Sequence, residues 1–126
     1  QILTWTHMAD NTRQRTRLQN EVAGIIERIK KKHRDAVEIR DKRNHHWSNI
    51  QEIEAAILAG QRTMFSPQVD RNDQFKALED LEVNMKENHD EAYDCQDQLD
   101  KIYTKVVKLI EKQFELELEL NRVGNA

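Results

Sequence analysis

One cysteine, Cys95, is all the thiol chemistry this 126-residue chain carries. An intrachain disulfide and a cysteine-based zinc site are both excluded, and a reducing, intracellular compartment suits the composition. One proline and three glycines leave few places to turn, which points to helix over most of the length. Long apolar runs are missing too. The longest, Ala55-Ala56-Ile57-Leu58-Ala59, falls far short of the roughly 20 residues needed to cross a bilayer. No positively charged start leads into an apolar stretch, and the first residue is Gln1, so the chain reads as a fragment or ordered portion without a targeting segment.

The usual reaction chemistries are thinly supplied. The two serines, Ser48 and Ser66, lie in no nucleophile-elbow setting, which argues against acyl transfer by a serine triad. Gly24, Gly60 and Gly124 are too far apart to build a phosphate-cradling loop. Helical carboxylate metal sites need Glu three residues before His, yet Lys30, Lys42, Arg43 and Lys86 stand three before His33, His45, His46 and His89. His45 and His46 diverge by about 100° on a helix and cannot readily chelate one ion. His89 with Asp90 and Asp94 is the other candidate set, and it lacks a further acidic or imidazole ligand at i+3 or i+4, where Ala92 and Tyr93 stand. The expectation is a non-enzymatic chain with no catalytic residue, no metal and no cofactor.

What the chain does have is periodicity. Stepping by threes and fours from Leu78 reaches Leu81, Met85, Asn88, Ala92, Cys95, Leu99, Ile102, Val106, Leu109, Gln113, Leu116, Leu120 and Val123, apolar at all but two positions. A spacing held that long is the mark of a helix burying one seam against another helix. From Leu18 the same stepping gives Val22, Ile25, Ile29, Lys32, Ala36, Ile39, Arg43, His46, Ile50, Ile53 and Ile57. Lys32, Arg43 and His46 interrupt this second seam, and Val37 and Trp47, just off register, are expected to carry the packing there. Ahead of it, Ile2, Leu3, Trp5 and Met8 form a short apolar anchor, joined continuously or through a kink near Asp10-Asn11-Thr12.

The breakers cluster between Gly60 and Pro67, and Asn72 or Asp73 is placed to cap a new helix. The spacing therefore predicts one all-α domain over residues 1–126: helix arms at about 8–59 and 73–123 joined by a turn at 60–72, folded as an antiparallel, coiled-coil-like hairpin. Phe114 to Leu120 alternates with period two. A strand is the alternative there, but Leu116 and Leu120 continue the helical register.

Two helices alone bury little surface, and Tyr93, Tyr103, Val107, Ile110, Phe114 and Leu118 widen the second arm's apolar face beyond a two-helix seam. A homodimer or a heteromeric helical bundle is expected, with Leu78, Leu81, Met85, Leu99, Ile102, Val106, Leu109, Leu116 and Leu120 as interface residues. Asn88 and Gln113 interrupt the seam and are candidates for fixing register and partner number, or mark places where the bundle is open.

Charge divides by arm. Residues 1–60 hold 11 Lys/Arg against 8 Asp/Glu, a balance of +3, and residues 61–126 hold 9 against 15, a balance of −6. Lys30, Lys31, Lys32 and Arg34 form a basic patch within a stripe running from Arg13 to Arg43, while Asp90, Glu91, Asp94, Asp97 and Asp100 crowd the second arm. Solvated faces are the plain reading of both. A nucleic-acid or membrane-surface binder using the basic stripe is an alternative function, not favoured because the acidic second arm opposes it.

The segment from Asn88 to Lys112, with its acidic, Gln-containing turn followed by Ile102-Tyr103-Thr104-Lys105-Val106-Val107-Lys108-Leu109-Ile110, resembles the second helix of the N-terminal domain of the inhibitor-of-growth (ING) family. It covers about a fifth of the chain. The Leu-Pro and the later acidic Leu-Asp that the family carries in its first arm are not present here, and the turn is longer. The resemblance implies a hairpin that dimerises or docks into histone acetyltransferase or deacetylase complexes in the nucleus, the family's histone-reading zinc finger lying outside this sequence. It implies that Leu99, Ile102, Val106 and Leu109 are assembly contacts and that Lys30 to Arg34 meet an acidic partner or nucleic acid. A cytoskeletal or trafficking scaffold in the cytoplasm is the competing assignment within the same class.

Overall fold

A computed structural model describes the backbone of residues 2–64, 66 and 70–125 and the side chains of residues 10–64, 66 and 70–124. The chain is an all-α antiparallel helical hairpin, with α1 spanning Ile2–Thr63 and α2 spanning Arg71–Asn125. Leu, Glu, Lys, Gln, Arg and Ala, whose side chains lose little freedom in a helix, together make up about half of each helix. α1 is unbroken through Asp10, Asn11 and Thr12, the continuous one of the two expected arrangements; the side chains of Ile2, Leu3, Trp5 and Met8 lie outside the described residues. The alternating stretch Phe114 to Leu120 is helical.

The seam follows the three-four spacing throughout. Naming its positions a and d places Val22, Ile29, Ala36, Arg43, Ile50 and Ile57 at a and Leu18, Ile25, Lys32, Ile39, His46 and Ile53 at d of α1; every one of them is buried or half-buried. In α2, Leu78, Met85, Ala92, Leu99, Val106, Gln113 and Leu120 are a, and Leu81, Asn88, Cys95, Ile102, Leu109, Leu116 and Val123 are d, again without an exposed member. One expectation needs correcting here. Lys32, Arg43 and His46 are not bypassed: they stay half-buried in the seam, whereas Trp47 is exposed and Val37 only half-buried. The helical repeat leaves those three no other direction, and each can carry its polar end to the rim on an apolar stem or ring.

Packing gathers into two units, each built from both helices: Gln1–Ala36 with Lys101–Ala126, and Val37–Asp100. In the first, Leu18, Val22, Ile25 and Leu116 form a buried cluster, with Ile26, Ile29, Leu109, Leu120 and Val123 against it. In the second, Ile50, Ile53, Leu78, Ala92, Cys95 and Leu99 are buried together with Asn88. Leu18 and Leu99, one in each unit, are only 1% exposed, and burial on that scale contributes about 1.5–3 kcal/mol per side chain. The thiol of Cys95 is inside as well.

The turn is shorter than the sequence suggests. α1 runs through Gly60 to Thr63, and α2 starts at Arg71. Among the described residues no backbone adopts positive φ, so Gly60 is not a left-handed helix stop. Its service is space and an open carbonyl: a Cβ there would stand 2.7 Å from Gln74 Nε2 and 3.0 Å from Leu78 Cδ2, and its oxygen accepts from Met64 N at 3.1 Å, Thr63 Oγ1 at 3.0 Å and Gln74 Nε2 at 3.0 Å. The cap of α2 is Asp70 rather than Asn72 or Asp73. Its Oδ1 accepts the amide of Asn72 at 2.9 Å and its carbonyl accepts that of Gln74 at 3.1 Å, satisfying donors that a helix start leaves open. Phe65 and Pro67, the rest of the expected breaker cluster, lie outside the described residues.

Candidate functional site: a seam lock and two unlike flanks

Around a helix with an a/d seam, positions e and b follow on one side and g and c on the other. In the first unit these two flanks are chemically opposite. Tyr103 and Ile110 at e and Val107 and Phe114 at b of α2 form a second apolar stripe, extended by Leu118 at the neighbouring f position. All five are exposed, Val107 by 53% and Phe114 by 61%, and α1 adds Ala23 and the half-buried Ile26 at its own b and e positions. The second unit has an aromatic group at the same positions: Trp47 meets His89 edge-on at 5.5 Å and Tyr93 edge-on at 6.2 Å between ring centroids, and His89 stacks on Tyr93 at 6.1 Å.

Among the described residues, the c and g flank of the first unit carries no apolar side chain. It presents Arg28 and Lys31 from α1 and Lys105, Lys108 and Lys112 from α2, with Glu21 and Asp35 among them. An open groove of about 510 Å³ is lined there by Arg28, Lys31, Lys32, Asp35, Lys105, Lys108 and Leu109. A second hollow of about 320 Å³ shares Arg28 and adds Glu21, Gly24, Ile25 and Lys112.

The sequence-predicted basic patch is therefore divided. Consecutive residues turn by about 100°, so Lys30 to Arg34 wind around α1: Lys31 and Lys32 reach the groove, while Lys30 sits at b and pairs with Glu27 at 3.5 Å, and Arg34 is an exposed f residue. The second half of the groove comes from Lys105 and Lys108, and that of the hollow beside it from Lys112, all of the arm that is acidic overall, which charge counted by arm conceals. Counting charge by heptad position exposes it. The acidic residues of α2 are likewise spread: Glu91 meets His46, Asp94 accepts from Gln98 at 3.0 Å, and Asp100 accepts from Gln96 at 3.0 Å.

The predicted interface residues Leu78, Leu81, Met85, Leu99, Ile102, Val106, Leu109, Leu116 and Leu120 line the seam between the chain's own two helices, all buried or half-buried. Folding uses them up, and the large apolar residues left facing outward stand mostly at e and b. Of the two register candidates, Asn88 joins the helices and Gln113 does not. Asn88 Oδ1 receives Asn49 Nδ2 at 3.2 Å and lies 3.0 Å from His46 Nδ1, while its Nδ2 donates to Asn84 O at 2.9 Å and Asn84 Oδ1 at 3.1 Å. The other nitrogen of the His46 ring lies 2.9 Å from Glu91 Oε2. Arg43, also in the seam, donates to Gln96 Oε1 at 2.7 Å. Gln113 instead donates along its own helix to Glu117 at 3.1 Å. Asn49 is the member of the lock that spacing did not mark.

Among the described residues no three His, Cys, Asp or Glu side chains are grouped to hold a metal ion, and no helix is long and apolar enough to cross a membrane. Compared with protein families, curated proteins and solved structures, the chain matches none.

Proposed function

We propose that the chain is a non-catalytic, intracellular assembly module that docks a helix of another chain, a second copy or a different protein, against the e and b flank of its first unit. The stripe Tyr103, Val107, Ile110 and Phe114 carries this reading: it has the four-three-four spacing that helix docking uses, yet no described residue of the chain covers it. Composition does not explain it, since the opposite flank of the same unit has no apolar side chain among its described residues. Burying the roughly half of each side chain that is still exposed supplies roughly 3–6 kcal/mol, on a full value of about 1.5–3 each, comparable with the lower end of what association costs. The module accordingly assembles in a concentration-dependent way.

A nuclear subunit of a chromatin-modifying complex is the specific form of the proposal that the likeness of residues 88–112 to the inhibitor-of-growth helix supports; Tyr103, Val107 and Ile110 belong to that segment. A cytoskeletal or trafficking scaffold would use the same flank without that likeness. Size exclusion coupled to light scattering, over a range of concentrations, tests the reading on the chain and on the Val107→Glu, Phe114→Glu double variant. The expected result is a dimer or larger assembly that the variant reduces to a monomer of unchanged helicity. Where the unaltered chain is itself monomeric, chemical crosslinking in cell extract should capture a partner that the variant loses. Association and crosslinking unchanged by both glutamates would overturn the proposal.

A further inference from the structure

We propose that the groove between the two helices of the first unit binds a compact anion bearing two or more phosphate groups. The site draws on both arms: Arg28, Lys31 and Lys32 from α1 and Lys105, Lys108 and Lys112 from α2 line the groove and its adjoining hollow. Among the described residues no side-chain hydrogen bond or ion pair engages any of the six. Glu21 and Asp35 also line the hollows but neutralise only two of the six charges. Like charges gathered in this way repel, and the two carboxylates lining the hollows offset only part of that repulsion; an anion offsets the rest.

Lys32 is the second, independent observation. It occupies a seam position where the register otherwise asks for an aliphatic residue, is half-buried, and lines the groove rather than pairing with a carboxylate. A cation held on a packed stem beside Leu109 sits where screening by water is reduced, so its attraction for an anion is stronger than that of a fully exposed lysine.

Size decides between ligands. The cationic positions run from Arg28 to Lys32 and from Lys105 to Lys112 and are closed by Asp35 and Glu21, which limits the site to about two helical turns, roughly 10 Å. That is short for a duplex backbone or a flat membrane stripe, and the groove of about 510 Å³ is of the size that encloses a small ligand. Lysines act on phosphate as mobile point charges, so several phosphates on one small frame suit the site better than a single phosphate does. The groove lies on the flank opposite the apolar stripe and does not depend on the assembly proposal.

Calorimetric titration of the full chain tests the site, with inositol hexakisphosphate, tripolyphosphate and orthophosphate as probes. Inositol hexakisphosphate should bind saturably, one per chain, and at least about tenfold more tightly than orthophosphate, with affinity falling as salt rises. The exposed pair Lys105→Gln, Lys108→Gln should weaken it by roughly tenfold or more, as should Arg28→Gln, Lys32→Gln, while Lys30→Gln and Arg34→Gln leave it within about twofold. Circular dichroism checks that each variant keeps its helicity, and the Lys105, Lys108 pair answers the question should the Lys32 variant lose its fold. Binding to phosphatidylcholine vesicles containing phosphatidylinositol 4,5-bisphosphate, and not to phosphatidylcholine alone, would assign the same chemistry to a lipid headgroup; soluble probe without vesicle binding would assign it to a free ligand. No saturable binding, or equal losses from Lys30→Gln and Lys105→Gln, would overturn the proposal. So would tighter binding of a duplex DNA with the same sensitivity, in favour of a nucleic-acid site. The Val107→Glu, Phe114→Glu variant should keep its affinity, which separates failure here from failure of assembly.

Discussion

Asn88 holds a seam position that an aliphatic side chain would fill with less cost, and its amide is spent on aligning the two helices of its unit. Shifting the pairing by one heptad would set His46 and Asn49 against Leu81 or Cys95, neither of which offers the acceptor that Asn88 does. The lock thus favours one register at some expense of stability. Asn88→Ala should destabilise the hairpin by about 1–3 kcal/mol, because His46 and Asn49 lose an acceptor in a half-buried place. The paired change His46→Leu, Asn88→Leu should cost less than the sum of the two single leucine changes, since both ends of the His46–Asn88 contact leave together and only Asn49 loses an acceptor. Urea unfolding of both single leucine variants and the double closes the cycle; additive effects at these two positions would show that the contact does not couple them. A second contrast belongs to this scale. Leu99→Ala should cost about 2–5 kcal/mol, whereas Val107→Ala, on the outward flank, should stay within about 0.5 kcal/mol in the isolated chain.

Within the elements, the two described helical glycines that lie far from the chain's ends should respond to alanine with opposite signs. Gly24 lies in the middle of α1, and a Cβ built on it meets nothing within 4 Å, so Gly24→Ala should stabilise by about 0.5–1 kcal/mol through helix propensity alone. At Gly60 the added Cβ meets Gln74 and the buried Leu78. Displacing Gln74 removes its bond to the Gly60 carbonyl, and Leu78 must shift inside the seam, so Gly60→Ala should lower stability by about 1–3 kcal/mol despite the better propensity. Thermal unfolding followed by circular dichroism measures both, and a gain at Gly60 would mean that its small size serves no packing purpose. These glycines also mark where the sequence was legible. The seam could be read residue by residue, because a/d spacing is a property of one helix and needs no knowledge of its partner. The end of α1 could not, because Gly60 as a breaker and Gly60 as a close-approach residue look the same until Gln74 and Leu78 are placed beside it. The basic groove was hidden for a related reason: Lys31 and Lys105 are far apart in the chain and share a surface only after the hairpin closes. Lys30 and Lys31 are neighbours that the helical repeat sends to different sides.

For the whole molecule, the order of folding follows from how far apart in sequence the partners stand. The bond from Gln74 to Gly60 spans 14 residues, His46 to Asn88 spans 42, and Arg43 to Gln96 spans 53. In the first unit, the cluster joining Leu18 to Leu116 closes nearly the whole chain. Closing a loop costs more entropy as it lengthens, although slowly, and once the turn is formed each further heptad adds only a short extension to structure already in place. Chains rich in nearby contacts gain them first. The hairpin should therefore nucleate in the second unit, near Gly60, Gln74 and Leu78, and zip toward the termini. A substitution close to the turn, such as Leu78→Ala, should mainly slow folding, and one in the first unit's cluster, such as Leu18→Ala, should mainly speed unfolding. Stopped-flow kinetics in urea tests this, provided each variant loses more than about 0.6 kcal/mol so that the ratio of kinetic to equilibrium effect is meaningful. A ratio near one for Leu18 and near zero for Leu78 would reverse the order and place nucleation in the aliphatic cluster. That cluster lacks the buried polar contacts of the second unit, so hydrophobic collapse would then have outweighed loop length.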